Sequence, residues 1–130
     1  MESSYFRTEF IVAEPIHDWP LRFFIISAYA TTGEHWTEHE NQRAHHALEH
    51  CLRMKNCWKA QVTCFSPANV REEPAWACKL SLEEARIVGL TFRQDAIFYV
   101  DNDQLYVTHC DERRDLVAVG SFRSRLQVLA

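Results

Sequence analysis

The sequence predicts an α+β domain built on a ferredoxin-like split βαβ core (βαββαβ), and three observations predict it. From Arg22 onward the elements read strand, helix, strand, strand, helix, strand, the order of that supersecondary pattern. Two helix starts carry capping boxes, Thr37 with Glu40 and Ser81 with Glu84, three residues apart. Arg22 to Ala30 is apolar almost throughout, which suits a strand covered on both faces. An extra strand at each terminus widens the expected sheet, which is mainly antiparallel with two helices on one face. The expected unit is a single domain, residues 1–130.

Each element has a local reason. Tyr5 to Ala13 alternates in side-chain character and reads as a strand. Glu14 to Pro20 holds two prolines and an Asp, so it reads as a loop. After Arg22–Ala30, the Thr31-Thr32-Gly33 break precedes a helix from Thr37 to about Met54. Its expected inward stripe is Ala44, Ala47, Leu48, Cys51 and Lys55. Trp58 to Phe65 and Ala75 to Leu80 read as strands around a polar loop, Ser66 to Glu73. The second helix places Leu82, Ala85, Val88, Gly89 and Phe92 on one face, where Gly89 permits close approach to a sheet. Ala96–Val100 and Gln104–Cys110 form a hairpin through Asp101-Asn102-Asp103. Leu116 to Phe122 completes the strands, followed by a basic tail with Arg123 and Arg125.

Bulk properties narrow the function classes. The 130 residues suit one core, and 47% hydrophobic with 25% charged residues is ordinary globular composition. A net charge of −4 argues against general nucleic-acid binding, which needs a dense basic footprint. The five cysteines are odd in number and lack any C-x-x-C pair, so reduced thiols in a cytoplasmic protein are expected. No export signal is visible at Met1 to Phe6, and no apolar run is long enough to span a bilayer.

Several motifs recur together: Phe24 to Tyr29, Glu40-Asn41, Glu73-Pro74, Leu82 with Glu84-Ala85, and Phe92 to Ile97. In that order and spacing the chain resembles an uncharacterised bacterial family, the domain of unknown function numbered thirty-two ninety-three. The resemblance covers about residues 5–110 and leaves 111–130 as a C-terminal extension. Two departures stand out: Ala30-Thr31 replaces the family's Asn-Pro, and Arg93 replaces a Gly. The family implies no settled activity.

Placing Ala44 at the centre of the inward face puts Glu40 and Asn41 at its edges, near the helix start. With Tyr29, Glu73 and Gln94 they make the expected binding site, a polar pocket at one end of the sheet. The competing reading is that Glu40 caps its helix, Asn41 answers a loop carbonyl and Gln94 closes the second helix. His46 and His50 have the i, i+4 spacing of zinc ligands but lie with His39 on the expected outer stripe, and no third ligand is evident. His109-Cys110 cannot act as base and nucleophile from opposite faces of one strand. No catalytic residue, metal or cofactor is therefore assigned. The function expected is a non-enzymatic binding module for a small ligand or protein partner. The alternatives are a small enzyme using Glu40 and Glu73 as acid/base groups, or a weak nucleotide or nucleic-acid binder using Tyr99 or Tyr106. The sheet edges also admit edge-to-edge pairing into a homodimer.

Overall fold

The computed structural model describes residues 3–29, 36–67, 70–113 and 115–129. The Ala30-Thr31 departure and the Thr31-Thr32-Gly33 break lie outside them. A 3-10 turn, Ser3–Phe6, leads into strands β1 (Glu9–Val12) and β2 (Arg22–Ser27), then helix α1 (Glu38–Met54). Strands β3 (Lys59–Ser66) and β4 (Arg71–Cys78) precede α2 (Leu82–Thr91). The chain ends with β5 (Ala96–Asp101), β6 (Gln104–His109), β7 (Val117–Ser121), a second 3-10 turn and β8 (Leu126–Val128).

Local chemistry sets most boundaries. Thr37 and Ser81 each complete a reciprocal capping box, with their Oγ atoms accepting from Glu40 and Glu84 backbone N–H at 3.1 Å. Asn102 and Asp103 both adopt positive φ, 48° and 73°, which is the two-residue hairpin turn that matches strand twist. The C-terminus of α2 is a Schellman closure: Gln94 N–H donates to Gly89 O at 2.8 Å and Arg93 N–H to Leu90 O at 3.0 Å. Arg93 holds the left-handed position, φ 58°, where glycine is cheapest.

The eight strands form one sheet in the order β7-β6-β5-β2-β4-β3-β1-β8, antiparallel except for the β1–β8 pair. Four inter-strand steps separate β1 from β5, roughly 19 Å in a flat sheet. Yet the Phe10 and Phe98 rings are 5.1 Å apart, centroid to centroid, so the sheet is strongly curled. Inside the curl, Phe10, Phe23, Phe98 and Phe122 pack with Val62, Val100, Leu105 and Val107. Trp19 and Trp58 close this core from its side. On the convex side, Phe24, Ile26 and Ala28 meet Leu48 and Leu52 of α1 and Ala85 and Val88 of α2.

This corrects the expected ferredoxin-like fold. The chain builds a curled, half-barrel mixed sheet with two helices, and the flanking strand β1 adds Phe10 and Val12 to the core. The physical reason lies in β2, whose Phe23 and Ile25 point away from the helices and need a second apolar layer. Curling the sheet supplies that layer from its own far strands. Strand β8, unpredicted, pairs in parallel with β1 along Phe10, Ile11 and Val12. The expected strand from Tyr5 is shortened to Glu9–Val12, and β4 starts at Arg71, inside the expected loop.

The inward stripe of α1 is also rotated. Asn41, His45, Leu48 and Leu52 are buried, while Ala47 and Lys55 are exposed. The inward direction thus moves by about 70° from the expected one, at 100° per residue. That rotation brings His45 inside, centres Asn41 and turns Glu40 out. Gly89 meets its expectation: a Cβ there would lie 2.4 Å from the Cys110 Sγ.

Candidate functional site

The end of β2 is where polar side chains gather. Ser27 Oγ accepts the Tyr29 N–H at 3.1 Å, turning the chain out of the sheet. The buried Tyr29 hydroxyl then donates to Glu38 Oε1 at 2.7 Å, on the first turn of α1. Gln94, delivered by the Schellman turn of α2, donates its amide to Tyr29 O at 2.9 Å and to Phe92 O at 3.1 Å. Burial, the Glu38 hydrogen bond and charge, and lastly the Glu73 charge raise the Tyr29 phenol to about 12.

The five residues expected to form the site have different fates. Tyr29 and Gln94 are joined directly. Asn41 is buried in the first turn of α1. Glu40 is exposed, its Oε1 accepting the Thr37 N–H at 3.1 Å, so its carboxylate is spent on the cap. Glu73 pairs with Cys64 across β3–β4 and shares the concave side with it; Arg71 Nη2 stands 2.9 Å from its carboxylate. Burial pushes the Glu73 carboxyl above its ordinary value, and the Arg71 charge opposes that. Glu40 and Glu73 are thus engaged with separate partners. His46 and His50 are exposed on α1, and no group of three or more metal-ligating side chains occurs among the described residues.

Three participants escaped the sequence reading: Glu38, His45 and Trp76. His45 is 8% exposed and stacks on Trp76, with ring centroids 5.7 Å apart and planes 11° from parallel. Tyr29 meets the His45 ring edge-on at 6.5 Å, and the Lys59 ammonium lies 5.9 Å from the Trp76 ring centre. His45 Nδ1 and Trp76 Nε1 are both buried without a hydrogen-bond partner. Burial first, then the neighbouring His46, lowers the His45 pKa, while Glu49 opposes this. The imidazole is therefore held toward its neutral form. A better sequence signal was available: Asn41, His45, Leu48 and Leu52 follow helical spacing through both leucines.

Fold and site together define an α+β chain whose two helices cover a curled sheet and whose polar cluster sits at one sheet end. The family model for a protein of unknown function, DUF3293, matches residues 26–97, and the chain belongs to that family. The match is shorter than the expected 5–110 and contains the whole polar cluster. No curated protein and no solved structure matches the chain. No helix among the described residues is long and apolar enough to cross a membrane.

Proposed function

We propose that the chain is a binding module for a small ligand bearing a hydrogen-bond acceptor, taken up at the Tyr29–His45–Trp76 end of the sheet. One observation carries this: two buried ring nitrogens, His45 Nδ1 and Trp76 Nε1, lie on stacked rings with nothing to bond. A buried donor left unmade costs about 1–3 kcal/mol, which a ligand acceptor would return on binding. The indole N–H can only donate, and a neutral imidazole can donate or accept at Nδ1. Glu38 and Tyr29 already satisfy each other and frame the site rather than compete for it. An acid/base enzyme built on Glu40 and Glu73 draws less support, because the capping box and Arg71 occupy those two carboxylates.

The test uses Trp76→Phe, which keeps an aromatic ring against His45 and removes the N–H together with part of the indole ring. Small acceptor-bearing molecules are screened by their effect on the Trp76 indole resonance. Molecules that shift it are expected to bind about tenfold more weakly to the variant, the worth of one hydrogen bond. The smaller ring gives up core packing and part of the Lys59 contact, so a lower melting temperature is expected and affinities are compared where both forms are folded. Unchanged affinity in Trp76→Phe, or no molecule that moves the indole resonance, overturns the reading.

A further inference from the structure

A second place on the molecule carries unspent charge. One side of α2, Glu83, Arg86, Ile87 and Leu90, follows i, i+3, i+4, i+7 spacing and lines a cavity of about 270 Å³. Cys110, Asp111 and Glu112, just beyond β6, form the opposite wall. Ile87 and Leu90 are 56% and 54% exposed, so the helix presents an open apolar surface beside the cavity.

Arg86 is the unusual member. It is only 5% exposed, yet its guanidinium meets neutral oxygens alone: Thr108 Oγ1 at 2.9 Å and His109 O at 3.3 Å. No carboxylate stands within ion-pair distance of it among the described residues. A buried charge is normally compensated by a partner of opposite sign. The nearby acids do not serve. Asp111 is held by Arg113 at 2.8 Å, and Asp115 is held by His109 at 2.8 Å. Glu83 and Glu112 are exposed at the rim and ion-paired to nothing among the described residues. Glu83 sits one turn before Arg86, where side chains are neighbours, and still leaves it unpaired.

We infer that this cavity is a binding site for a free, apolar α-amino acid or a close zwitterionic analogue. The carboxylate meets the Arg86 guanidinium, the ammonium meets Glu83 and Glu112, and the side chain lies on Ile87 and Leu90. The pattern selects a zwitterion: a simple anion would be repelled at the rim, and a simple cation would face Arg86 at the base. The volume falls at or below the roughly 300 Å³ lower bound of drug-sized pockets, which suits a molecule of amino-acid size. This inference is independent of the cluster at Tyr29, since no residue is shared.

The experiment titrates the full chain with L-leucine, leucinamide, 4-methylpentanoate and N-acetyl-leucine to about 10 mM, where a millimolar Kd saturates. Backbone resonances of Ile87, Leu90 and Cys110 are followed. L-leucine is expected to shift all three. Removing the carboxylate charge, removing the ammonium or acetylating it is expected to weaken binding about tenfold each, because each leaves a charge unmatched. Glu112→Gln, an exposed change that folding tolerates, is expected to weaken L-leucine severalfold and to strengthen 4-methylpentanoate, whose repulsion at the rim it relieves. Absence of shifts with L-leucine overturns the proposal. Equal binding of N-acetyl-leucine, whose carboxylate imitates a protein C-terminus, overturns it in favour of a peptide-end site.

Discussion

Replacing Gly89 by alanine sets two physical effects against each other at a single atom. In an exposed helix interior the exchange is worth up to about 1 kcal/mol in favour of alanine. Here the new methyl would lie 2.4 Å from the Cys110 Sγ and 3.2 Å from Ile97 Cγ2. The sulfur is roughly 1 Å inside ordinary contact distance, and it belongs to a buried side chain at the end of β6 that has little room to yield. Overpacking of this kind costs about 1–3 kcal/mol, so the net effect expected is a loss of about 1–2 kcal/mol. For a chain of this size that is a melting-temperature drop of about 3–6 °C. The decisive measurement is a double-mutant cycle by urea unfolding. With Cys110→Ala as background the sulfur is gone and the next contact to that residue is its Cβ at 3.5 Å. Gly89→Ala should then be neutral or stabilising, giving a coupling of about 1–2 kcal/mol. Additivity within about 0.5 kcal/mol would refute the close-approach reasoning.

Four further outcomes are expected. Arg93→Gly should stabilise by about 0.5–1 kcal/mol, read as a higher melting temperature, because it removes the Cβ penalty at φ 58° in the Schellman turn. Phe122→Ala should cost about 3–5 kcal/mol in denaturant unfolding, since Phe122 is buried against Phe10, Trp19 and Phe23; a loss below about 1 kcal/mol would mean the curl carries no core. Glu73→Gln tests a pH dependence. Burial raises the folded Glu73 carboxyl above its ordinary 4.5, so the folded state holds that proton more tightly and stability falls as pH rises through the folded value. The variant should be the more stable form at about pH 8, with the gap closing as pH falls below the ordinary value; a gap independent of pH excludes the desolvation account. Finally, a thiol reagent should modify the half-buried Cys51 and Cys57 in the folded protein. Cys64, Cys78 and Cys110 should react only on unfolding, being buried, with the Cys110 thiol pushed up to about 12.

The candidate site divides along the same line as the fold. Tyr29, Asn41, Glu73 and Gln94 were legible as polar residues near element ends, and Tyr29 with Gln94 do meet. Glu38, His45 and Trp76 were not, because the inward direction of α1 depends on which neighbours it packs against. Alanine at 44 and 47 looked like core and proved peripheral, while His45 found a place by stacking on Trp76. Arg86 was likewise hidden: no spacing rule announces that a guanidinium will be buried against β6 without a countercharge.

What the amino-acid order determined by itself was the set of short-range decisions. Both capping boxes, the Asn102-Asp103 hairpin and the glycine facing Cys110 and Ile97 follow from groups at most a few residues apart or from the size of one side chain. The curl, the parallel β1–β8 pairing and the rotation of α1 were decided only in three dimensions. A strand apolar on both faces states that two layers must cover it, and β2 does so. Which segments supply the second layer is settled by packing Phe10 against Phe98 and Phe122, each more than eighty positions further along the chain, a contact that no local pattern encodes.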